Sequence, residues 1–484
     1  MEKFKPMAIT YLKAEEVKSR LKIDFKSGSD MMGPLFIAEN PANSEVNYRI
    51  RIRENSPEPS TELLLNEETG KQDLKYILKN LGITKEDLFW IHPRAGGTLR
   101  RTVVDNLISN LEIDEPLIQL IVGPRQVGKT TAVEHLMREW ENHKFYFSAD
   151  SVVDDHGPWL ESIWQKALSK GEGTLLVIDE IQKIDKWVER VKVLWDMTRK
   201  RGIRVVVLGS TSLTHFLTSS GHESLAGRFN VLNVPHWSSP ETAEAFGTTF
   251  SEFTLFGGYP KAMELSKDPQ KWSDYIGQSI INPIIDIDIF QMGNFKKIEN
   301  LRRAFKIFSK EVCHEINYKH LLDEIQKTGN IDIVKKYLEG YSDSFLFSSI
   351  KQVDDKGKES LRAHSILIAN CAAIYSFGSN SYNSISSDEI RFKQSVAHEL
   401  KRVPYVSFGH WQKGNDVKMD YYLKTKDNKE FGIMLELDRK QVSKSKSIEH
   451  FRKIFKDARI AMINPDNIGD FSKGPRAFLE NVST

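Results

Sequence analysis

The sequence is poor in the features that mark disulfide-bonded, secreted or membrane proteins. Its 484 residues include only two cysteines, Cys313 and Cys371, which lie in different segments. Neither a disulfide framework nor a cysteine zinc site can be assembled from them. No apolar run approaches the roughly 20 residues of a membrane helix, and the first residues lack an apolar stretch followed by a small-residue cleavage site. These absences predict a cytoplasmic protein without a membrane partner.

A strong net charge is also lacking. Lysine and arginine number 68 against 66 acidic residues, which gives a formal net charge of +2 at pH 7. A surface for nucleic acid must therefore be local. The hydrophobic fraction of 40% and the charged fraction of 28% are ordinary for a globular protein. The chain is longer than the roughly 250–300 residues that one hydrophobic core supports, so several domains are expected.

Changes in hydrophobic pattern predict four domains along the chain. Residues 1–95 form a small α+β module of unknown role, and residues 96–255 form an α/β domain with a parallel sheet. Residues 256–355 are mainly helical, and residues 356–484 form a second α/β domain. The parallel sheet is predicted from short apolar runs separated by segments of helical periodicity, at 116–122, 144–150, 174–180 and 204–210.

The other predicted elements follow from periodicity and from turn residues. Predicted helices lie at 71–89, 301–312, 318–325, 332–347, 388–402 and 448–458. Predicted strands lie at 47–55, 403–411, 419–425, 431–438 and 459–464.

The stretch GPRQVGKTT (123–131) fits the template G-x-x-x-x-G-K-[ST] between an apolar strand and a helix. Its glycines let the backbone amides wrap around phosphate oxygens, and the helix N-terminus adds a favourable dipole. Lys129 should reach the β and γ phosphates, and Thr130 offers a hydroxyl to Mg²⁺. The alternative is a glycine-rich turn that fits by chance. The predicted ATP-binding residues are Gly123, Pro124, Arg125, Gln126, Val127, Gly128, Lys129, Thr130 and Thr131.

Two acidic residues lie at the end of the third predicted strand of the parallel sheet. TLLVIDE (174–180) ends in Asp179 and Glu180, at the strand end where open parallel sheets bind ligands. Asp179 can hold the Mg²⁺ shell, and Glu180 can orient or deprotonate the attacking water. A solvated acidic loop is the alternative. After the phosphate motif, at this distance and in this order, the catalytic interpretation is favoured.

Two further polar sites belong to the same domain. RVVVLGSTS (204–212) places Ser210, Thr211 and Ser212 at the same sheet edge, where a hydroxyl senses the γ-phosphate or caps a helix. ESLAGRFN (223–230) offers Arg228 as a planar donor for a transition-state phosphate, in its own subunit or across a subunit interface of a homo-oligomer. From the residues alone, a surface salt bridge is the favoured role for Arg228.

These motifs resemble those of a family of archaeal and bacterial AAA-type P-loop ATPases with a C-terminal restriction-endonuclease-like domain of unknown function. The likeness spans roughly residues 98–470, and residues 1–95 have no counterpart in it. The stretches that carry it are GPRQVGKTT, DEIQK (179–183), LGSTS (208–212), SLAGRF (224–229) and FGGYP (256–260). The resemblance implies an AAA-type ATPase over 96–255, a helical lid and winged helix within 256–355, and a degenerate nuclease-like domain over 356–484. It carries over Lys129, Thr130, Asp179, Glu180 and, as a candidate arginine, Arg228.

The C-terminal domain departs from the pattern of active nucleases. Such enzymes place an acid on one strand and an acid-x-Lys triplet on the next, so that carboxylates bind Mg²⁺ and the lysine assists water. Asp420 and Glu436 fit as metal ligands, with Glu399 as a third, but Asp438 stands where the lysine belongs. Lys440 would share a face with Glu436 if the strand continues. An active nuclease, a binding scaffold and scattered surface acids all stay open.

Local basic patches offer phosphate contacts, although a solvated face is the default for each. They comprise Lys444, Lys446, Arg452, Lys453, Lys456 and Arg459, and separately Arg302, Arg303 and Lys306.

Three functions follow as alternatives. The first is Mg²⁺-dependent ATP hydrolysis coupled to DNA association or remodelling. The second is an ATP-dependent defence or signalling switch that acts through a protein partner. The third is a metal-dependent nuclease gated by ATP.

Overall fold

A computed structural model describes most of the chain after residue 98. Its ranges are 99–151, 156–209, 227–290, 295, 297–326, 329–359, 365–369, 388–414, 416–436 and 445–482, together with the backbone of five strands before residue 67. None of the helices in these ranges combines the length and the apolar character needed to cross a membrane. The chain divides into two compact units. The first contains the N-terminal strands and the parallel sheet, and the second contains residues 123–127 and the chain from Val234 onward.

The N-terminal strands form an antiparallel sheet in the order β1-β5-β4-β3-β2. The strands are β1 Phe4–Thr10, β2 Lys26–Asp30, β3 Gly33–Asn40, β4 Asn43–Arg53 and β5 Ser60–Asn66. The strand predicted near residue 47 is confirmed by β4. The helix predicted at 71–89 lies outside the described residues.

The first unit also contains a five-stranded parallel sheet in the order β10-β6-β9-β8-β7. The strands are β6 Ile118–Val122, β7 Lys144–Ser148, β8 Leu175–Asp179, β9 Arg204–Leu208 and β10 Phe229–Asn233. All residues of β6 and β8 are buried, as expected for strands covered on both faces. The four predicted strands are confirmed, and with them the α/β class.

Helices of the first unit are α1 Val103–Leu111, α2 Lys129–Glu139, α3 His156–Ser169 and α4 Trp187–Thr198. Helix α2 buries one apolar stripe, because Val133, Leu136 and Met137 recur at helical spacing and are fully inaccessible. Trp140 ends this stripe and donates its indole N–H to the Gly173 carbonyl at 2.9 Å. These contacts fix the helix that begins directly after the phosphate motif.

The second unit is helical between residues 239 and 343. Its α-helices are α5 Ser239–Phe246, α6 Phe250–Phe256, α7 Pro260–Met263, α8 Pro269–Tyr275, α9 Ile298–Lys310, α10 Tyr318–Ile325 and α11 Ile331–Asp343. Two π-helical stretches, Ile276–Ile281 and Ile284–Ile289, follow α8. The helix predicted at 332–347 ends at Asp343, because Phe345 adopts a left-handed φ of 60°.

A six-stranded mixed sheet completes the second unit in the order β12-β11-β13-β14-β15-β16. Its strands are β11 Phe347–Val353, β12 Ser365–Ala369, β13 Tyr405–Lys413, β14 Val417–Thr425, β15 Glu430–Leu435 and β16 Arg459–Ile463. The helices of this region are α12 Asp388–Leu400, α13 Ser445–Ile454, α14 Ile468–Lys473 and α15 Pro475–Asn481.

Successive residues of β14 bury into two separate apolar clusters, which shows that both faces of this sheet are covered. Tyr421 packs in the cluster that includes Val396 of α12, whereas Tyr422 packs in the one that includes Phe451 of α13. A mixed sheet flanked by helices is compatible with the predicted nuclease-like domain. Strand β15 ends at Leu435, so Glu436 lies past the strand rather than within it, and the rest of the strand predicted to residue 438 lies outside the described residues.

Candidate functional site

The loop between β6 and α2 has the backbone that the phosphate motif requires. Gly123 has a φ of 152°, and an added Cβ would lie 2.2 Å from the Val234 carbonyl oxygen. Gly128 has a φ of 90° and forms the N-cap of α2, which then begins at Lys129. Because the first backbone N–H groups of a helix have no intrahelical acceptor, the loop leads into a set of donors suited to an anion.

The Arg125 side chain is held by a carboxylate rather than left to point at a ligand. Its Nε and Nη2 donate to Asp288 at 2.6 and 2.5 Å. The Asp288 side chain is only 4% exposed. Two parallel charge-assisted hydrogen bonds fix both the position and the plane of the guanidinium.

The next two loop residues are held in the same unit. Gln126 donates its amide to the Ser279 carbonyl at 3.1 Å and accepts a hydrogen bond from the Tyr275 hydroxyl. The Val127 carbonyl accepts the indole N–H of Trp237 at 2.9 Å. The roles predicted for Arg125 and Gln126 in ATP binding stay predictions. Because both side chains have other partners, the groups expected to bind phosphate are the backbone amides of these two residues.

Two oxygen ligands suited to a cation converge at the end of β8. The Thr130 hydroxyl donates to Asp179 Oδ2 at 3.3 Å, and Asp179 Oδ1 accepts the Glu180 N–H at 2.8 Å. The Tyr146 hydroxyl also donates to Asp179 Oδ2. Burial and the neighbouring Asp179 carboxylate raise the pKa of Tyr146 well above its usual value, so it stays a donor at neutral pH. A hydroxyl beside a carboxylate is a donor set that fits Mg²⁺.

Glu180 lies directly after β8 in an uncommon conformation. Its φ of 52° is left-handed, which non-glycine residues adopt at an energetic cost. The Gln182 amide donates to its carboxylate. The carboxylate is therefore oriented by a neighbour at the strand end that carries Asp179, and its part in activating water stays a prediction.

Arg228 lies at the opposite end of the parallel sheet. It precedes Phe229, which pairs with Ile118, whereas the phosphate loop follows Val122 at the other end of β6. At about 3.3 Å per residue, its backbone is roughly 16 Å from that end, farther than an arginine side chain reaches. Its guanidinium donates to both carboxylate oxygens of Asp196 at 2.8 Å. These hydrogen bonds lower the pKa of the exposed Asp196 carboxyl.

The remaining residues predicted for the nucleotide site are Thr131 and Ser210. Thr131 lies in the first turn of α2. Ser210, with Thr211 and Ser212, lies outside the described residues. Its predicted part in ATP binding stays a prediction.

In the C-terminal domain, Asp420 and Glu436 lie near each other along the sheet. Asp420 Oδ2 accepts the N–H of Leu435 at 2.8 Å, and Leu435 precedes Glu436. Asp438 and Lys440 lie outside the described residues. Asp420 and Glu436 as metal ligands therefore stay a prediction.

The third ligand expected in that cluster, Glu399, has a different role. Glu399 is fully buried, accepts the N–H of Ser239 at 2.8 Å and pairs with Arg402. Burial raises the pKa of Glu399, and Arg402 opposes that rise. Among the described residues no group of three His, Cys, Asp or Glu side chains could hold a metal ion. The expectation that Glu399 completes a cluster with Asp420 and Glu436 is wrong, because Glu399 instead anchors the start of α5.

Part of the predicted basic patch at α13 is already paired. Lys453 contacts Glu449 at 2.6 Å, and Arg459 donates to the Glu480 carbonyl. Lys446, Arg452 and Lys456 are exposed.

Three residues that contact members of the candidate site were not predicted from the sequence. Tyr146 contacts Asp179 from the neighbouring strand, Asp288 holds Arg125, and Gln182 holds Glu180. Only Gln182 carried a signal, since it lies two residues after Glu180 in the motif DEIQK. The other two partners depend on strand pairing and on a contact 163 residues apart in the sequence.

Five parallel strands with a phosphate loop after β6 and an acidic pair after β8 define a P-loop nucleotide-binding domain of the α/β class. Residues 115–243 match the family model described as an AAA domain, so this part of the chain is an AAA-type P-loop domain. Residues 247–368 match the model of a domain of unknown function.

A curated relative and two solved structures show weaker similarity. An uncharacterized protein of Haemophilus influenzae is 24% identical over 274 residues, which cover 52% of this chain and 66% of that protein, just under two thirds. The Thermotoga maritima RuvB Holliday junction branch migration motor is 16% identical, and the matched region covers 55% of this chain and 91% of the RuvB chain, with a TM-score of 0.29. The Aeropyrum pernix ORC2 protein is 11% identical, and the matched region covers 62% of this chain and 95% of the ORC2 chain, with a TM-score of 0.35.

Proposed function

We propose that this protein binds and hydrolyses ATP at residues 123–131, with Mg²⁺ held by Thr130 and Asp179. The observation that carries the proposal is the 3.3 Å contact between the Thr130 hydroxyl and the Asp179 carboxylate. Thr130 directly follows Lys129 in the sequence. Hydroxyl, carboxylate and ammonium groups at the carboxyl ends of parallel strands are the set that a magnesium-bound triphosphate requires.

Each side chain has a separate part in the proposed reaction. Loop amides and the first turn of α2 bind phosphate oxygens, and the Lys129 ammonium neutralises charge that develops in the transition state. Glu180 accepts the proton of the attacking water, while Gln182 keeps its carboxylate oriented. Tyr146 holds the Asp179 carboxylate in place. Magnesium, when bound, supplies positive charge to the phosphate oxygens.

We also propose that the protein associates with DNA and that this association is coupled to ATP hydrolysis. It is supported by the exposed basic residues on and after α13, namely Lys446, Arg452 and Lys456. The test measures ATP turnover by the full chain with single-stranded, duplex and branched DNA, and without DNA. Stimulation that weakens steeply with added salt is expected, because phosphate contacts release counterions. If DNA neither stimulates turnover nor binds with salt-sensitive affinity, the protein-partner alternative takes its place.

Arg228 is proposed to act on a neighbouring subunit's nucleotide in a homo-oligomer. It lies about 16 Å from the phosphate-loop end of its own sheet, so action within one subunit would require a rearrangement. Arg228→Ala is expected to lower turnover by about 10³-fold if the guanidinium contacts the transferred phosphate. Mixing Arg228→Ala with Lys129→Ala chains should restore part of the activity, because some interfaces then combine an intact loop with an intact arginine. Turnover of Arg228→Ala at the wild-type level would leave only the ion pair with Asp196.

A further inference from the structure

Two residues of the phosphate loop, Arg125 and Gln126, contact a stretch of their own unit that is distant in the sequence. This stretch, residues 276–289, is here named the π segment. Arg125 makes its bidentate contact with Asp288 of this segment, and Gln126 donates to the Ser279 carbonyl in it. Tyr275, at the end of the preceding helix, donates to Gln126. Side chains of two successive loop residues are thus engaged by one stretch of chain.

The Arg125 contact is stronger than an ordinary surface ion pair. Asp288 is 4% exposed, and a buried carboxylate that loses its partner is left as an uncompensated charge. The pair therefore resists exchange of Asp288 for solvent. A movement of the loop backbone at Arg125 larger than the arginine side chain can absorb must be followed by Asp288 or must break both hydrogen bonds.

The π segment has an uncommon backbone conformation. It comprises two π-helical stretches, Ile276–Ile281 and Ile284–Ile289, with Pro283 between them. π-Helical turns are rare and occur frequently at functional sites. The segment also contacts the helices that follow it. Asp286 pairs with Arg302 of α9 at 3.0 and 2.6 Å, and a Cβ added at Gly340 of α11 would lie 2.8 Å from Ile289.

We propose that Arg125 is a positioning residue that ties the phosphate loop to the π segment, and that through this tie residues 276–289 respond to ATP. The proposal rests on the ATP-binding function proposed above and names its regulation. Arg125 does not act as a phosphate ligand. The loop offers backbone amides and Lys129 to the triphosphate. Its Arg125 transmits a change in loop position to Asp288, which lies in the region that matches a domain of unknown function.

A kinetic double-mutant cycle tests the role of Arg125. Arg125→Gln and Asp288→Asn break the same contact from opposite sides, so each should lower kcat by about tenfold or more, since small displacements of positioning groups are costly in the transition state. The Kd for ATP should change by less than about threefold. The double variant should be no worse than the worse single variant, because the two residues act as one unit. Arg125→Lys keeps the charge and provides a milder break if either variant folds poorly.

The matched control is Asp286→Asn. It removes the carboxylate of a second bidentate arginine pair on the same segment, whose partner is Arg302 of α9 rather than a loop residue. Its kcat and Kd should stay within about twofold of wild type, since more exposed ion pairs contribute little. If Arg125→Gln weakens ATP binding about tenfold or more while Asp288→Asn does not, Arg125 is a phosphate ligand and the proposal is overturned.

Hydrogen exchange tests the response of the π segment without relying on turnover. The Glu180→Gln chain is compared with and without ATP and Mg²⁺, alone and combined with Asp288→Asn. ATP is expected to change exchange of peptides from both 123–131 and 276–289, and Asp288→Asn should abolish only the second change. Protection of 123–131 with no response at 276–289 would remove this inference alone. No protection of 123–131 would remove the proposed function and the inference together.

Discussion

Glu180→Gln is expected to lower ATP turnover by about 10²–10⁴-fold while ATP binding is retained. Glutamine keeps the size and the hydrogen-bonding reach of the side chain but cannot accept a proton from the attacking water. Binding should persist, because Lys129, Thr130 and Asp179 are unchanged. Turnover is measured by steady-state phosphate release and binding by titration with a fluorescent ATP analogue.

A matched control for this variant is Glu189→Gln, which makes the same change at an exposed residue in the first turn of α4. It should leave turnover near the wild-type value. If Glu180→Gln hydrolyses ATP at the wild-type rate, another group activates the water, and the left-handed conformation of Glu180 would need a different explanation.

Lys129→Ala is expected to lower turnover by at least about 100-fold, and unlike Glu180→Gln it should also weaken ATP binding. Lys129 begins α2 directly after the left-handed Gly128, so its ammonium adds charge where the helix already offers backbone donors. Removing a donor aimed at developing phosphate charge costs about 10²–10³-fold in rate.

The control for the lysine is Lys170→Ala, an exposed lysine of the same domain outside the motif. Steady-state turnover and ATP titration are measured for both variants. Undiminished turnover in Lys129→Ala would end the assignment of the loop as the catalytic phosphate site.

The parallel sheet and the motif on it could be predicted from the sequence because both signals are local. β6 and β8 are buried along their whole length, and such strands appear in a sequence as unbroken apolar runs. The order of the motifs then placed Lys129, Asp179 and Glu180 at the carboxyl ends of the strands. Contact between Thr130 and Asp179, 49 residues apart, agrees with that placement.

The partners of these residues could not be predicted, because they depend on which distant segments pack together. Asp288 lies 163 residues from Arg125, and no periodicity or motif connects them. Tyr146 reaches Asp179 only because β7 and β8 are neighbours in the sheet. Glu399 had a local pattern compatible with a metal ligand, but its burial against Ser239 and Arg402 gives it a structural role. The sequence patterns thus predicted the residues of the candidate site better than they predicted the groups that orient those residues.

Isothermal titration calorimetry of the purified, folded full chain with ATP in the presence of Mg²⁺ is the most direct test of the central claim. Saturable heat of binding at about one site per chain is expected, greatly reduced in Lys129→Ala. Absence of any binding heat in the wild-type protein, or equal binding by wild type and Lys129→Ala, would contradict the account.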